Sequence, residues 1–289
     1  MERLFMVDLQ INIEEVKANG YKFKCRTAGL ESEGEPIIFL HGFPESSIIW
    51  ENIMISFAKK GYRCIAPDLR GYSKEARPKG IKNYTVEKLA EDVIAIADAV
   101  GFKKFHLVGH DWGSACGWTV LTIYPERVND WSALAVPHMA AYMNAKSNDK
   151  EQMEKSRYIR LFQVPVVPEV FLGSKNLAYL KTIWSEHSKR EIEDYLGIFK
   201  DYEGRNRVIN WYRANNKISV KYGDVTIPTL FIWGNKDLAI ARAGVEDAKK
   251  YMKGEYNFVE LDAGHWLVQE KYNLVLEEVS KHIRNHPIK

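Results

Sequence analysis

Short apolar runs alternating with longer helical patterns constrain this chain more than any other feature. Pro36–Leu40, Arg63–Pro67, Phe105–Gly109, Trp131–Val136, Pro228–Gly234 and Tyr256–Leu261 each read as a buried strand. Ile48–Lys60, Val86–Val100, a stretch ending near Tyr124, Gly244–Met252 and Leu267–Asn285 carry helical patterns between and after them. Such alternation builds βαβ units, so the expected class is α/β with a mostly parallel sheet flanked by helices. Asn19-Gly20 between Glu15–Ala18 and Tyr21–Ala28 predicts an antiparallel hairpin ahead of these units. Gly101 stands where the helix over Val86–Val100 should stop.

The rhythm breaks over residues 138–223, which hold no clear buried strand but helical patterns rich in Tyr, Trp, Lys and Glu. A structureless loop of that length is implausible inside a folded domain. A helical insertion packed over one end of the sheet is the expectation. The 289 residues then divide into a core of residues 1–137 and 224–289 and a helical cap of residues 138–223.

Composition removes several function classes. Lys and Arg number 41 against 38 Asp and Glu, too even a balance for a nucleic-acid binder, and no basic block marks an arm. No apolar run approaches the ~18 residues of a membrane helix. Residues 1–8 carry acids where a signal peptide needs an uninterrupted apolar stretch, which points to a cytoplasmic protein without membrane association. Cys25, Cys64 and Cys116 are odd in number and far apart in apolar settings, as reduced core thiols are. No His or Cys pair shows metal-ligand spacing, so neither a metal nor another cofactor is expected.

The chemistry concentrates at Gly109-His110-Asp111-Trp112-Gly113, which follows a buried strand and opens a helix. This is the context of the G-x-S-x-G nucleophile elbow, with glycines two residues either side of the central position. Here that position is aspartate. A serine attacking an alkyl carbon would leave an ether, whereas aspartate leaves an ester that water can cleave at its carbonyl. The site therefore points to displacement at saturated carbon, and the helix N-terminus favours an ionised Asp111.

A nucleophile of this kind needs a base and an orienting acid, arranged in the order nucleophile, acid, histidine along the chain. Asp237 follows the strand over Pro228–Gly234, and His265 follows the strand over Tyr256–Leu261. Among eight histidines, His282 and His286 lie in a charged C-terminal tail, His106 within a strand and His187 in the insertion. His110 should point away from Asp111 by strand alternation. His265 is thus the base, and its ordinary pKa of about 6.5 predicts activity falling below about pH 6–6.5. The backbone N–H groups of Phe43, in His41-Gly42-Phe43-Pro44, and of Trp112 are the oxyanion donors.

Taken together, the sequence resembles the α/β-hydrolase superfamily, and within it the soluble epoxide hydrolases and their bacterial relatives. The resemblance rests on His41-Gly42-Phe43-Pro44-Glu45-Ser46, Asp68-Leu69-Arg70-Gly71-Tyr72, Gly109–Gly113, Gly234-Asn235-Lys236-Asp237 and Gly264-His265-Trp266. It implies an eight-stranded sheet, and two cap tyrosines that hydrogen-bond the epoxide oxygen. Tyr212, in Asn210-Trp211-Tyr212-Arg213, matches the second by motif, and Tyr158 the first by its spacing to Phe162-Gln163-Val164-Pro165.

Leu238 and Tyr272 stand where many relatives carry proline. Similar haloalkane dehalogenases carry Asn where Phe43 stands, and fluoroacetate dehalogenases Arg where Trp112 stands. The implied activity is conversion of a small apolar epoxide and water to a vicinal diol through an Asp111 ester, with a homodimer left open. Haloalkane dehalogenation by the same Asp111–His265–Asp237 machinery is the second reading, and a non-catalytic ligand-binding homologue the third.

Overall fold

A computed structural model describes residues 10–289. The signal-peptide reading of residues 1–8 lies outside the described residues. Eight strands form one sheet: β1 (Asn12–Ala18), β2 (Tyr21–Ala28), β3 (Pro36–Leu40), β4 (Arg63–Pro67), β5 (Phe105–His110), β6 (Val128–Leu134), β7 (Thr229–Gly234) and β8 (Tyr256–Leu261). Their spatial order is β1-β2-β4-β3-β5-β6-β7-β8. The β1/β2 and β2/β4 pairs are antiparallel and the rest are parallel, as the strand–helix alternation requires.

The helices of the sheet layers are α1 (Glu51–Ala58), α2 (Val86–Ala99) and α3 (Trp112–Ile123). Between β6 and β7 lie α4 (Met139–Asn148), α5 (Lys150–Lys155), α6 (Tyr158–Gln163), α7 (Val167–Ile183), α8 (Lys189–Phe199) and α9 (Tyr202–Ala214). The chain closes with α10 (Arg242–Ala248), α11 (Leu267–Glu270) and α12 (Tyr272–Asn285). None of the helices described is long and apolar enough to cross a membrane.

Several boundaries differ from the sequence reading. The helix after β3 begins as a 3-10 turn over Ser47–Trp50, and the one over Gly244–Met252 ends in another. The sixth strand starts at Val128 because Asp130, polar though it is, lies inside it fully buried and paired with His106. The C-terminal segment is no tail: α12 buries His282, whose Nε2 stands 3.8 Å from Asp130 Oδ1.

Two features of this frame position a site. β3 lies between β4 and β5, so the chain leaves β3 in one direction and returns on its other side. Ligands of open α/β sheets bind at such a switch point, outside the carboxyl ends of the strands. The loop after β3 and the turn after β5 both open there. α3 also packs very close to the sheet: a Cβ on Gly117 would meet the Trp131 ring at 2.1 Å.

The helices between β6 and β7 are tied to the core by buried polar contacts. Trp211 Nε1 donates to Arg70 O (2.8 Å), Trp184 Nε1 to Pro44 O (3.1 Å), and Val86 N to Asn215 Oδ1 (2.8 Å). Asp194 on α8 takes salt bridges from Lys24 and Arg26 of β2, both at 2.8 Å. Each of these leaves a buried polar group satisfied only when the insertion is docked, which makes docking specific as well as stable. The three cysteines are free and buried.

Candidate active site

The turn between β5 and α3 holds Asp111 at φ 53°, ψ −119°, a backbone conformation that side chains other than glycine rarely adopt. Its close packing explains the flanking glycines. A Cβ on Gly113 would sit 2.1 Å from Leu40 O, and one on Gly109 2.6 Å from Gly113 O. Gly42 meets the same demand from the opposite loop, where an added Cβ would lie 2.4 Å from Asp111 Oδ1. The carboxylate is thereby pressed against the loop after β3, and Phe43 N–H donates to Asp111 Oδ1 at 2.7 Å.

The other carboxylate oxygen faces His265. Asp111 Oδ2 lies 3.4 Å from His265 Nε2, and His265 Nδ1 lies 2.7 Å from Asp237 Oδ2. Asp237 Oδ1 is occupied by two backbone donors, Ala239 N–H at 2.7 Å and Ile240 N–H at 2.9 Å. All three side chains are withdrawn from solvent. Burial disfavours a charged His265 ring, but Asp237 and Asp111 outweigh it and hold its pKa well above the ordinary value. The pH limit expected from an unperturbed histidine therefore does not carry over to this site.

Tyr212 on α9 and Tyr158 on α6 reach the same cavity as Asp111. Their rings meet edge to face at 5.9 Å, and Tyr212 packs against Trp112 at 5.0 Å. Tyr212, lying against both Tyr158 and the Trp112 indole, takes a polar influence from the indole that partly offsets its burial, as Tyr158 does from Tyr212. Burial first, then the neighbouring phenol and Asp111, push both tyrosines well above their usual pKa. Both stay neutral donors at neutral pH. Gln163 Nε2 donates to Tyr212 O at 3.0 Å and fixes α6 against α9.

The structure thus brings together Asp111, His265, Asp237, Tyr158, Tyr212, Phe43 and Trp112, all singled out in the sequence. The cavity bordered by Asp111, Trp112, Tyr158 and Tyr212 measures about 490 Å³, within the range of small-molecule pockets. Leu238, beside Asp237, is largely exposed, and Tyr272 donates to Asn52 O at 3.2 Å.

Three contributors were not identified from sequence. Tyr142 on α4 also lines the cavity and has its pKa pushed up by burial to about 12. Nothing in its local sequence separates it from the other tyrosines of the insertion. Glu45 is fully buried between His110 Nδ1 (3.0 Å) and His187 Nε2 (3.0 Å), and those hydrogen bonds hold its carboxyl far below the usual range against the cost of burial. His110 does point away from Asp111, as expected, and its Nε2 lies 2.9 Å from His265 O, bracing the histidine loop. Lys146 on α4 is the third, also on the cavity wall.

Comparison with known proteins gives concordant results. Residues 35–139 match the model of the alpha/beta hydrolase fold. The AB hydrolase superfamily protein YfhM of Bacillus subtilis is 31% identical over 284 residues, covering 95% of this chain and 99% of that protein. Epoxide hydrolase 4 of Homo sapiens is 31% identical over 274 residues, covering 90% of this chain and 75% of that protein. The crystal structure of epoxide hydrolase A from Mycobacterium thermoresistibile superposes with a TM-score of 0.84 at 24% identity, covering 97% of this chain and 100% of that one. That likeness shows the fold. On the sequence relatives, the chain is a hydrolase and belongs to the epoxide hydrolase family of the α/β-hydrolase superfamily.

Proposed function

We propose that this protein hydrolyses epoxides to vicinal diols through a covalent ester on Asp111, with the helices of residues 138–223 acting as a cap over the site. One observation carries the reading. A carboxylate bound by a backbone amide and a histidine shares its cavity with two neutral phenols.

In the first half-reaction Asp111 Oδ2 attacks an epoxide carbon. The carbon–oxygen bond breaks, and the departing oxygen takes a proton from the Tyr158–Tyr212 pair. Asp111 Oδ1, already held by Phe43 N–H, becomes the carbonyl oxygen of the ester. Forming the ester removes the negative charge that Asp111 contributes to the high pKa of His265. The imidazolium then gives up its proton, which passes through solvent to restore the phenol pair, and the neutral imidazole is available as base.

In the second half-reaction His265 Nε2 takes a proton from water, whose oxygen attacks the ester carbonyl carbon. The oxyanion forms on Oδ1 against the amides of Phe43 and Trp112. Asp237 holds the imidazole in the tautomer that leaves Nε2 free to accept. Collapse of the intermediate expels the diol alkoxide, which takes from His265 Nε2 the proton that came from water, and returns Asp111 as a carboxylate carrying one oxygen from water.

The test is Tyr212→Phe. Loss of a positioned proton donor should lower kcat on styrene oxide by about 10²-fold or more. Turnover of an epoxide at the unaltered rate would remove the phenols from the mechanism.

A further inference from the structure

The large apolar side chains left in water are not scattered evenly. Seven of the fifteen exposed among the described residues fall within residues 161–179, on α6, α7 and the turn that joins them. Leu161 and Val164 stand three apart, and Val167, Val170 and Phe171 follow at helical spacing on one side of α7. Tyr179 joins them from beyond the kink at Ser174–Leu177, its ring 5.0 Å from that of Phe171. Together they expose on the order of 500 Å² of apolar surface, at the upper end of the largest patches that monomeric proteins carry.

The turn is strained around one of these side chains. Val166 holds φ 70° and ψ −39°, and Val167 N–H donates to Pro165 O across it at 2.8 Å. That is close to the rare form of γ-turn, to which a β-branched residue is poorly suited. The Val166 side chain is 54% exposed, so the strain secures little packing within the protein. Its effect is to hold an apolar side chain outward at the tip of the turn.

Charge around the patch is of one sign. Between residues 157 and 185 the only acid is Glu169, which is buried and paired with Arg213 at 2.6 Å. Arg157 shares Glu154 at 2.7 Å, whereas Arg160, Lys175 and Lys181 are exposed and have no ion pair among the described residues. An apolar face rimmed by unpaired cations complements an anionic lipid surface: the side chains enter the acyl boundary while the cations meet the phosphates. A second copy of the chain would bring the same cations face to face, which disfavours self-association through this patch.

We infer that the α6–α7 face is a membrane-docking surface, which seats on an anionic bilayer without spanning it. This alters the expectation of a protein without membrane association, and it is independent of the epoxide reading of Asp111. α6 carries Leu161 outward and Tyr158 and Ile159 on the cavity wall, so docking sets the helix that walls the cavity against the lipid, where apolar molecules concentrate.

The test is co-sedimentation of the full chain with vesicles of phosphatidylcholine alone or with about a third phosphatidylserine. Wild type should pellet with the anionic vesicles, bind the neutral ones roughly tenfold more weakly, and lose binding as salt rises. Val166→Gly removes the strain and the side chain together, so Tm should hold or rise while affinity for the anionic vesicles falls severalfold. Adding Val170→Ser and Phe171→Ser should bring that loss to roughly a hundredfold. Lys175→Gln and Lys181→Gln should each cost roughly fivefold on anionic vesicles and nothing on neutral ones.

No binding to anionic vesicles at low salt, or binding that neither the apolar nor the lysine changes weaken, would overturn the inference. Sedimentation velocity without lipid supplies the remaining outcome. A dimer that the Val166, Val170 and Phe171 changes dissociate would make the patch a self-association face, and would overturn the membrane assignment as well.

Discussion

Asp237→Asn changes no volume, yet the geometry around Asp237 predicts a large loss. Oδ1 accepts from Ala239 N–H and Ile240 N–H at 2.7 and 2.9 Å, while Oδ2 faces His265 Nδ1 at 2.7 Å. An asparagine has one acceptor end and must choose. Turning its amide nitrogen toward the two backbone donors leaves two buried N–H groups unpaired, at about 1–3 kcal/mol each. The oxygen therefore stays on the loop and the amide nitrogen faces His265.

Nδ1 must then accept, so the imidazole proton moves to Nε2, which can no longer take one from water. The corresponding change of tautomer in a serine protease lowers kcat about 10⁴-fold, or roughly 5 kcal/mol of barrier. Only the second half-reaction needs the base. Rapid-quench intact-mass spectrometry of Asp237→Asn with styrene oxide should show the Asp111 ester accumulating while steady-state turnover collapses. A kcat within tenfold of wild type, or slow turnover with no ester, would refute the reasoning.

Two further outcomes follow from the same geometry. Burial opposes the charge on His265, but Asp237 and Asp111 raise its pKa well above the unfolded value of about 6.5, so the native state holds the proton more tightly. That contribution to stability is fully present below about pH 6.5 and is lost as pH rises through the native pKa. In chemical denaturation, the stability advantage of wild type over His265→Gln should shrink as pH is raised from 6.5, and a constant or growing difference would contradict the charge assignment. Gly113→Ala places a Cβ 2.1 Å from Leu40 O and 2.8 Å from His41 O, both backbone. α3 must move away from β3, pulling Asp111 off Phe43 N–H, so a lowered Tm and a loss of about 10²-fold in kcat are expected, and wild-type values in both would count against the close-packing argument.

The parts of this fold legible in the sequence are those fixed by short-range rules. Pro36–Leu40, Arg63–Pro67 and Tyr256–Leu261 run as strands over the residues expected, because apolar runs bounded by turn residues leave little choice. Asp111, Asp237 and His265 were legible because each occupies a turn or loop directly after a strand. The sixth strand was misplaced because its first residues, Val128-Asn129-Asp130, look polar until His106 is seen across the sheet. His282 read as tail for the same reason, its partner Asp130 being far away in sequence.

Glu45, Tyr142 and Lys146 were missed on different grounds. Glu45 sits inside a quoted motif, but its importance comes from His187, which arrives from the insertion. Tyr142 and Lys146 take meaning only from how α4 lies along the cavity, and helix packing in an insertion has no strand register to announce it.

The central claim is that Asp111 forms an ester that His265 clears. The most direct measurement is the intact mass of His265→Gln after exposure to styrene oxide, followed by peptide mapping. A gain of one whole epoxide mass, located on Asp111 and persisting because the base is gone, is the predicted result. An unmodified protein under conditions where wild type turns the epoxide over, or an adduct on any other residue, would contradict the account.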